Sequence, residues 1–532
     1  MSLTSLFYDR LRQGDLHKTA LVLIKTDGKT VEYSWFDYIN EAARTAKWLK
    51  KQGVRRGDFV AIIPLNLPES FFALLGIILS GGIPVPINLQ LLKETGLADI
   101  KKILADCQPK LILHNECIKK FMPQTSTRCY SIEESREDWY GSLAEFNATT
   151  SDNDLLIMPY TSGTSELKGV MLTHENVLNR VGAVSDAFGV TENERILSYL
   201  PLGHIAELIT SFFGQIYNGY TVYFTKHIKD ALSDREKFRK NFPSVLKQVK
   251  PTIFVAVPRI WTSFRKEIET KMNNLPIPAR FIPLKIKSCL VKRGLGFNQT
   301  RVFISAAALF YNEDRRFFSN FGISISDIYG QTETAGPLLF DGKVIGKNYS
   351  VFLLENNEIG VRGHCVMRGY YRNQRANYLA FVKDGGDDQM VYRTGDIGTT
   401  LQGKIFWSGR VGYGYKRDNG EYISPEAVEK AEEKIKKINP RIIEAIVYGA
   451  NRPYEVALIF CENPFENVDY NVNLYLEIKR ALAQVGDGVL KIKNFCLIDV
   501  SELELTPTMK VKRNRMLEKF TQTINELYIQ QS

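Results

Sequence analysis

The sequence predicts an α/β fold: a large N-terminal domain of stacked mixed and parallel sheets with a β subdomain, and a small α/β C-terminal domain. Three observations predict it. Short β-rich runs alternate with amphipathic helical runs between residues 34 and 256, the order that builds βαβ units and parallel sheets. From about Gly342 the texture changes to short segments punctuated by Gly, Asn and Asp. After Gly409 the chain passes through Arg410-Val-Gly-Tyr-Gly-Tyr-Lys416 and an α/β pattern restarts. A boundary near residue 410 follows, dividing the chain into domains 1–409 and 410–532.

A helix is expected over 34–54, where Trp35, Ile39, Ala42, Ala43, Ala46, Trp48 and Leu49 share one face, Ser34 caps the start and Gly53 ends the run. Asp58-Phe-Val-Ala-Ile-Ile-Pro64 reads as a strand, 68–80 as a helix and Ile83-Pro-Val-Pro-Ile87 as a second strand, together one βαβ unit. The alternation recurs at 111–114, 176–188, 196–199, 221–224 and 252–256. In the later texture, 358–363 and 403–407 read as strands of the β subdomain. No internal repeat or low-complexity tract is evident.

A chain of 532 residues with 44% apolar content can bury several cores. Lys and Arg number 69 against 59 Asp and Glu. That excess, spread over so long a chain, argues against a dedicated nucleic-acid binder and is compatible with anionic substrates or a membrane surface. The seven cysteines are odd in number, far apart and never form C-x-x-C, which fits a reduced, cytoplasmic chain. Residues 1–18 place no apolar core behind their charges, so no secretory signal is expected. The most apolar stretch, 71–87, is broken by Ser80, Gly81, Gly82, Pro84 and Pro86 and is too short to span a bilayer.

Three segments carry chemistry. Tyr160-Thr-Ser-Gly-Thr-Ser-Glu-Leu-Lys-Gly-Val-Met-Leu-Thr-His174 gathers small hydroxyl residues around a glycine. Such a loop brings backbone N–H and side-chain O–H groups onto phosphate oxygens, and a lysine adds a point charge. It is not a Walker-type loop, because Lys168-Gly169 leads into strand-like Val170-Met171-Leu172. Alone, it reads equally as a polar turn between strands. Asp327-Ile-Tyr-Gly-Gln-Thr-Glu333 sets a ring, a tight glycine turn, a hydroxyl and a carboxylate within a few residues, as a nucleotide–metal site requires. A surface loop after a strand has the same composition. Tyr392-Arg-Thr-Gly-Asp396 either offers a carboxylate to a ribose diol or forms a plain turn.

In order and spacing these segments resemble the adenylate-forming superfamily of acyl-CoA synthetases, firefly luciferase and nonribosomal peptide synthetase adenylation domains. The resemblance runs from the Gly57-Asp58 region to Arg513. It implies that Thr161, Ser162, Gly163, Thr164 and Lys168 meet the β- and γ-phosphates, and that Tyr329 stacks on adenine. It further implies that Thr332 contacts the α-phosphate, and that Glu333, with Thr164, holds Mg²⁺. Asp396 and Arg410 match ribose contacts, and Ala307, within Ser305-Ala-Ala-Ala-Leu309, matches the loop lining adenine. Lys510, in Leu505-Thr-Pro-Thr-Met-Lys-Val-Lys-Arg513, matches the adenylation lysine, whose ammonium would stabilise negative charge as the carboxylate attacks phosphorus. His204 matches a position beside the acyl carboxylate.

Leu200-Pro-Leu-Gly-His-Ile-Ala-Glu207, Val257-Pro-Arg-Ile-Trp261 and the Thr-Pro-Thr-Met-Lys form around Lys510 look like the long-chain fatty acid–CoA ligase branch. The resemblance thus implies an AMP-forming acid–thiol ligase with a mobile C-terminal domain. Such an enzyme would convert a fatty acid to acyl-AMP and then to its coenzyme A thioester, with ATP, Mg²⁺ and coenzyme A as cofactors. A fatty acyl-AMP ligase delivering to an acyl carrier protein and a non-catalytic nucleotide-binding relative are the alternatives.

The sequence departs from the family at two places. The phosphate loop, Thr164-Ser-Glu-Leu-Lys168, is one residue short, lacks the usual glycine and proline, and gains Glu166, which is unfavourable beside polyphosphate unless it points outward. Gly412 stands at the hinge where the family has Asp or Lys, and glycine leaves hinge rotation free. The segment Arg280-Phe-Ile-Pro-Leu-Lys-Ile-Lys-Ser-Cys-Leu-Val-Lys-Arg293 mixes apolar and cationic residues, and reads either as a solvated helix or as a peripheral contact at the inner membrane surface.

Overall fold

The computed structural model describes residues 2–89, 97–138, 150–162, 167–230, 235–274, 283–306, 310, 312–355, 357–383, 390–411, 413–419, 421–464, 468–485, 490, 492–505 and 511–529. They form two compact units, Met1–Thr161 with Leu167–Val351 and Val361–Tyr392, and Ser162–Glu166 with Phe352–Gly360 and Arg393–Ser532. The α/β class expected from the alternating pattern is the class observed.

In the first unit the expected βαβ unit is built from Phe59–Ile63, helix Pro68–Leu79 and Ile83–Pro86, in an all-parallel sheet ordered Ile83–Pro86, Phe59–Ile63, Leu111–His114, Cys129–Ser131. Pro68 opens the helix where a missing N–H costs nothing, and every residue of it except Glu69 is buried. Helix Trp35–Lys51 lies against it. Ser34 and Asp37 form a reciprocal capping box at its start. The two helices approach so closely that a Cβ on Gly76 would sit 2.7 Å from Thr45 Cβ and 2.9 Å from the Ala42 carbonyl.

A second sheet is mixed, with Arg195–Leu197, Thr221–Thr225 and Thr19–Ile24 parallel and Thr30–Ser34 antiparallel. The third runs parallel through Ile253–Ala256, Val302–Ser305 and Ile325–Gln331, then turns antiparallel into Gly336–Phe340 and Lys343–Val344. Its helical face buries an aromatic cluster of Trp261, Phe254, Phe264, Phe297, Phe303 and Phe318. Trp261 is fully buried and donates its indole N–H to the Ile304 carbonyl at 3.3 Å. A fourth sheet sets Leu167–Thr173 antiparallel to both Leu155–Ile157 and Gly369–Tyr370.

Strand Met390–Leu401 carries the chain from the first unit into the second between Tyr392 and Arg393. In the second unit residues 396–401 pair antiparallel with Lys404–Arg410. Beyond them a three-stranded sheet, Ile442–Tyr448, Glu455–Cys461 and Ile492–Asp499, is filled on both faces. Ala457, Ile459 and Cys461 join helices Pro425–Ile438 and Val468–Val485 in one layer. Val456, Leu458 and Phe460 join Met516, Ile524 and Leu527 in the other, as the two-residue period of a strand requires.

Candidate functional site

Each unit holds one cluster of the residues singled out above. Strand Tyr160–Ser162 precedes strand Leu167–Thr173, and in the first unit the Tyr160 hydroxyl donates to Asp106 Oδ2 at 2.6 Å. Gly169 lets the Tyr160 ring lie against the backbone, since a Cβ there would meet that ring at 3.0 Å. The strand expected after Lys168 is observed, so this hairpin is not a strand-to-helix phosphate loop. Thr161 is half-buried. Gly163 and Thr164, like Ala307, Gly412 and Lys510, lie outside the described residues, as does the side chain of Ser162.

Lys168 and Glu333 are joined through a residue that the motifs do not contain. Lys168 Nζ sits 4.8 Å from the centre of the Tyr370 ring, and the Tyr370 hydroxyl donates to Glu333 Oε1 at 3.0 Å. Tyr370 reaches this position because Gly369–Tyr370 pairs with Val170 and Met171, and Asn377 holds its backbone from the other side. Ring and hydroxyl thus bridge a cation and a carboxylate from distant segments.

The turn that presents Glu333 is fixed locally. Strand Ile325–Gln331 ends in the one-turn 3₁₀ helix Thr332–Thr334, and Ala335 takes a left-handed φ of 53°. The buried Thr334 hydroxyl accepts from the Gln331 N–H at 3.1 Å and faces the Gln331 and Gly336 carbonyls at 3.0 Å. A Cβ on Gly330 would lie 2.1 Å from the Gly336 carbonyl oxygen, so only glycine fits this step. Tyr392 donates to Gln331 Oε1 at 2.9 Å. Burial, with Glu333 nearby, holds the Tyr392 phenol far above its ordinary range and keeps it a donor. Burial likewise pushes Asp327 up to about 7, with Arg315 opposing and Asp341 adding to the rise.

His204, half-buried, starts the helical turn Ile205–Glu207, which continues into a π-helical stretch, Leu208–Phe213. The Ile209 side chain lies where a Cβ on Gly336 would come within 3.3 Å, so this helical run packs beside the Glu333 hairpin. Beneath it Glu207 is buried. Ser198 Oγ donates to it at 2.5 Å and Asn66 Nδ2 at 3.3 Å, while Asn66 also donates to the Leu200 carbonyl at 2.7 Å. Burial pushes the Glu207 carboxyl up to about 7 against these hydrogen bonds. Phe212 and Phe213 pack in the core, Phe212 at 5.3 Å from Phe71.

In the second unit Asp396 is buried, and Arg410 Nε lies 2.9 Å from its Oδ1 across the paired strands. The preceding turn is held by buried Glu358, which accepts from Arg393 Nε at 2.9 Å, Arg393 Nη2 at 2.6 Å and the Gly395 N–H at 2.9 Å. Thr394 donates to the Ile359 carbonyl at 2.8 Å. Thr-Gly-Asp is therefore not a plain solvent turn. Its aspartate is placed by an ion pair in which Arg393 donates twice to one Glu358 oxygen, and by the Thr394 hydroxyl, which accepts from the Asp396 N–H at 3.1 Å.

Lys168, Tyr329, Thr332 and Glu333 lie in the first unit with His204, and Asp396 and Arg410 in the second. Among the described residues no three His, Cys, Asp or Glu side chains converge on a metal position. A single half-buried carboxylate such as Glu333 nevertheless fits Mg²⁺, which keeps several waters and takes one or two carboxylates together with substrate phosphates. Tyr370 and Glu358 escape the sequence motifs because their partners, Glu333 and Arg393, lie 37 and 35 residues away.

The AMP-binding enzyme model matches residues 9–371, and the AMP-binding enzyme C-terminal domain model matches 417–532. Among curated proteins, the human long-chain-fatty-acid–CoA ligase ACSBG2 is 26% identical over 95% of this chain and 90% of its own length. The rat long-chain-fatty-acid–CoA ligase ACSBG1 is 24% identical over 99% of this chain and 85% of its own. Among solved structures, McyG A-PCP complexed with phenylalanyl-adenylate superposes with a TM-score of 0.79 at 16% identity, covering 99% of this chain and 85% of that one. The o-succinylbenzoate CoA synthetase MenE of Bacillus subtilis, in complex with its acyl-adenylate intermediate, superposes at 0.74 with 20% identity, covering 96% and 97%.

Proposed function

The chain belongs to the AMP-binding enzyme family, and from that premise we propose that it uses ATP to convert a fatty acid into an acyl-adenylate and then transfers the acyl group to coenzyme A. The observation that carries the reading is the Lys168–Tyr370–Glu333 bridge, which holds a cation and a carboxylate at fixed positions, with Tyr329 on the strand that leads into Glu333. Lys168 meets the β- and γ-phosphates with Thr161, Ser162, Gly163 and Thr164, and Thr332 contacts the α-phosphate. Glu333, with Thr164, holds Mg²⁺, whose charge when bound offsets that of the phosphates. Asp396 accepts from the ribose hydroxyls, with Arg410 beside it. Lys510 neutralises charge between the acyl carboxylate and the α-phosphate during adenylation.

The fatty acid as substrate is supported by the names of the ACSBG relatives and by the Leu200–Glu207 and Val257–Trp261 segments. All seven cysteines are free thiols, in keeping with a reducing, cytoplasmic setting. Among the described residues no helix is long and apolar enough to cross a membrane.

The test is ATP–pyrophosphate exchange against a panel of carboxylates, followed by thioester formation with coenzyme A or with a phosphopantetheinyl carrier, because the McyG neighbour is an A-PCP pair. Exchange with fatty acids and transfer to coenzyme A are expected. Tight ATP binding with no exchange for any carboxylate would refute the ligase reading in favour of a non-catalytic relative.

A further inference from the structure

Positive charge in this protein is concentrated on two helices of the first unit that pack against each other. Helix Leu284–Leu295 carries Lys285, Lys287, Lys292 and Arg293 and no acid. Helix Arg235–Val249 carries Arg235, Lys237, Arg239, Lys240 and Lys247 against the single Glu236. Each therefore holds four net charges, eight of the ten that the whole chain carries. Gly296 ends the first of these helices with a φ of 79°, and a Cβ there would sit 2.4 Å from the Leu246 carbonyl. Glycine thus permits the approach that brings the two basic helices together.

The helix at 284–295 has one face in the protein and one that is bare. Val291 and Leu295 join the core cluster that contains Phe242, Val245 and Leu246, and Ser288 donates to the Phe321 carbonyl. At a helical 100° per residue, Ile286, Leu290 and Arg293 fall on the opposite side. Ile286 is 51% and Leu290 54% exposed, with Leu284 at 56% at the helix start. Lys285 and Lys287 flank this aliphatic strip on its two sides. A strip of Ile and Leu within a cationic rim, without acid or aromatic anchor, lacks the hot-spot composition of a protein interface and has that of an interfacial helix.

We propose that this helix pair docks the protein onto an anionic lipid bilayer, with Ile286 and Leu290 in the headgroup–acyl boundary and the basic side chains over the anionic headgroups. Charge complementarity selects the occupant: a lipid surface of net negative charge attracts each juxtaposed Lys or Arg, and the attraction fades within a Debye length. The contact deepens the proposed function, on which it rests for its purpose, because a fatty acid partitions into such a bilayer. The docking itself is independent of any catalytic step.

The experiment is co-sedimentation of the full chain with phosphatidylcholine vesicles, with and without phosphatidylglycerol, at low and high salt. Binding is expected only with phosphatidylglycerol and should weaken with salt. Lys285→Glu/Lys287→Glu should weaken it about a hundredfold or more, and Ile286→Ser/Leu290→Ser about tenfold or more. Lys285, Ile286 and Leu290 are exposed and Lys287 is half-buried, so unfolding temperatures close to the wild type are expected and are measured alongside. Equal binding to neutral vesicles, unchanged binding by both double variants, or absence of binding to either vesicle would overturn the proposal. Absence of binding together with a dimer that Ile286→Ser/Leu290→Ser dissolves would assign the face to a second copy of the chain instead. Because sedimentation reads nothing from catalysis, a chain that binds vesicles yet exchanges no pyrophosphate would refute the ligase reading alone.

Discussion

Replacing Tyr370 by phenylalanine isolates the bridge that places Glu333. The ring stays, so Lys168 keeps its contact at 4.8 Å, and the buried volume changes by one oxygen. What is lost is one hydrogen bond of 3.0 Å from a neutral hydroxyl to an ionised carboxylate, worth about 1.5–3 kcal/mol. If Glu333 offers its other oxygen to Mg²⁺, Tyr370 orients a metal ligand from behind, and removing such a partner lowers metal affinity by about 10–100-fold. The Mg²⁺ concentration for half-maximal pyrophosphate exchange should therefore rise by that factor at saturating ATP. Excess Mg²⁺ should restore most of the maximal rate, because no group at the α-phosphate has been removed. Combining Tyr370→Phe with Glu333→Gln should add little to Glu333→Gln alone, since both act through one carboxylate. A lowered maximal rate with an unchanged Mg²⁺ requirement would refute the reasoning.

Lys510→Ala should reduce acyl-AMP formation by orders of magnitude while thioester formation from supplied acyl-AMP survives, and equal loss of both in a folded variant would exclude the adenylation role. Asp396→Ala should weaken ATP binding by about 1–3 kcal/mol through lost ribose hydrogen bonds, measured by calorimetry. Glu207, pushed by burial up to about 7 from an ordinary 4.5, keeps its proton in the native state across that interval. Stability should therefore fall as pH rises through the window, by about 3 kcal/mol in all at 1.4 kcal/mol per tenfold. Glu207→Gln should flatten that dependence in urea unfolding, and parallel pH profiles for variant and wild type would show that the carboxyl is not the group responsible.

Where the chemistry is local, the sequence is legible. Ser34 with Asp37 marks a helix start within four residues, Leu111–His114 is a strand by apolar run alone, and Gly330 signals a tight turn before Glu333. What is not legible depends on tertiary pairing. Nothing near residue 370 distinguishes Tyr370 from Tyr371, yet register with Val170 decides which one meets Glu333. Asp396 stands in a three-residue pattern equally suited to an ordinary turn, and only the pairing of buried Glu358 with Arg393 separates the two cases. Ile209, Phe212 and Phe213 illustrate the same limit, because an apolar run beside a motif has one composition whether it lines a cavity or fills a core.

The Glu358–Arg393 pair also governs how this protein can be recombined with its relatives. Residues 352–360 belong to the same compact unit as residues 393–532 although the intervening stretch does not, so that unit is not one continuous piece of chain. A chimera spliced between Tyr392 and Arg393 would take its arginine from one parent and its glutamate from the other. Any donor without an acid at the position of Glu358 would leave the half-buried Arg393 guanidinium without its carboxylate at the base of the Asp396 turn. Swapping the C-terminal portion cleanly therefore requires transplanting two segments together, or placing the junction downstream of Arg410, where donor and acceptor of this pair remain in one parent.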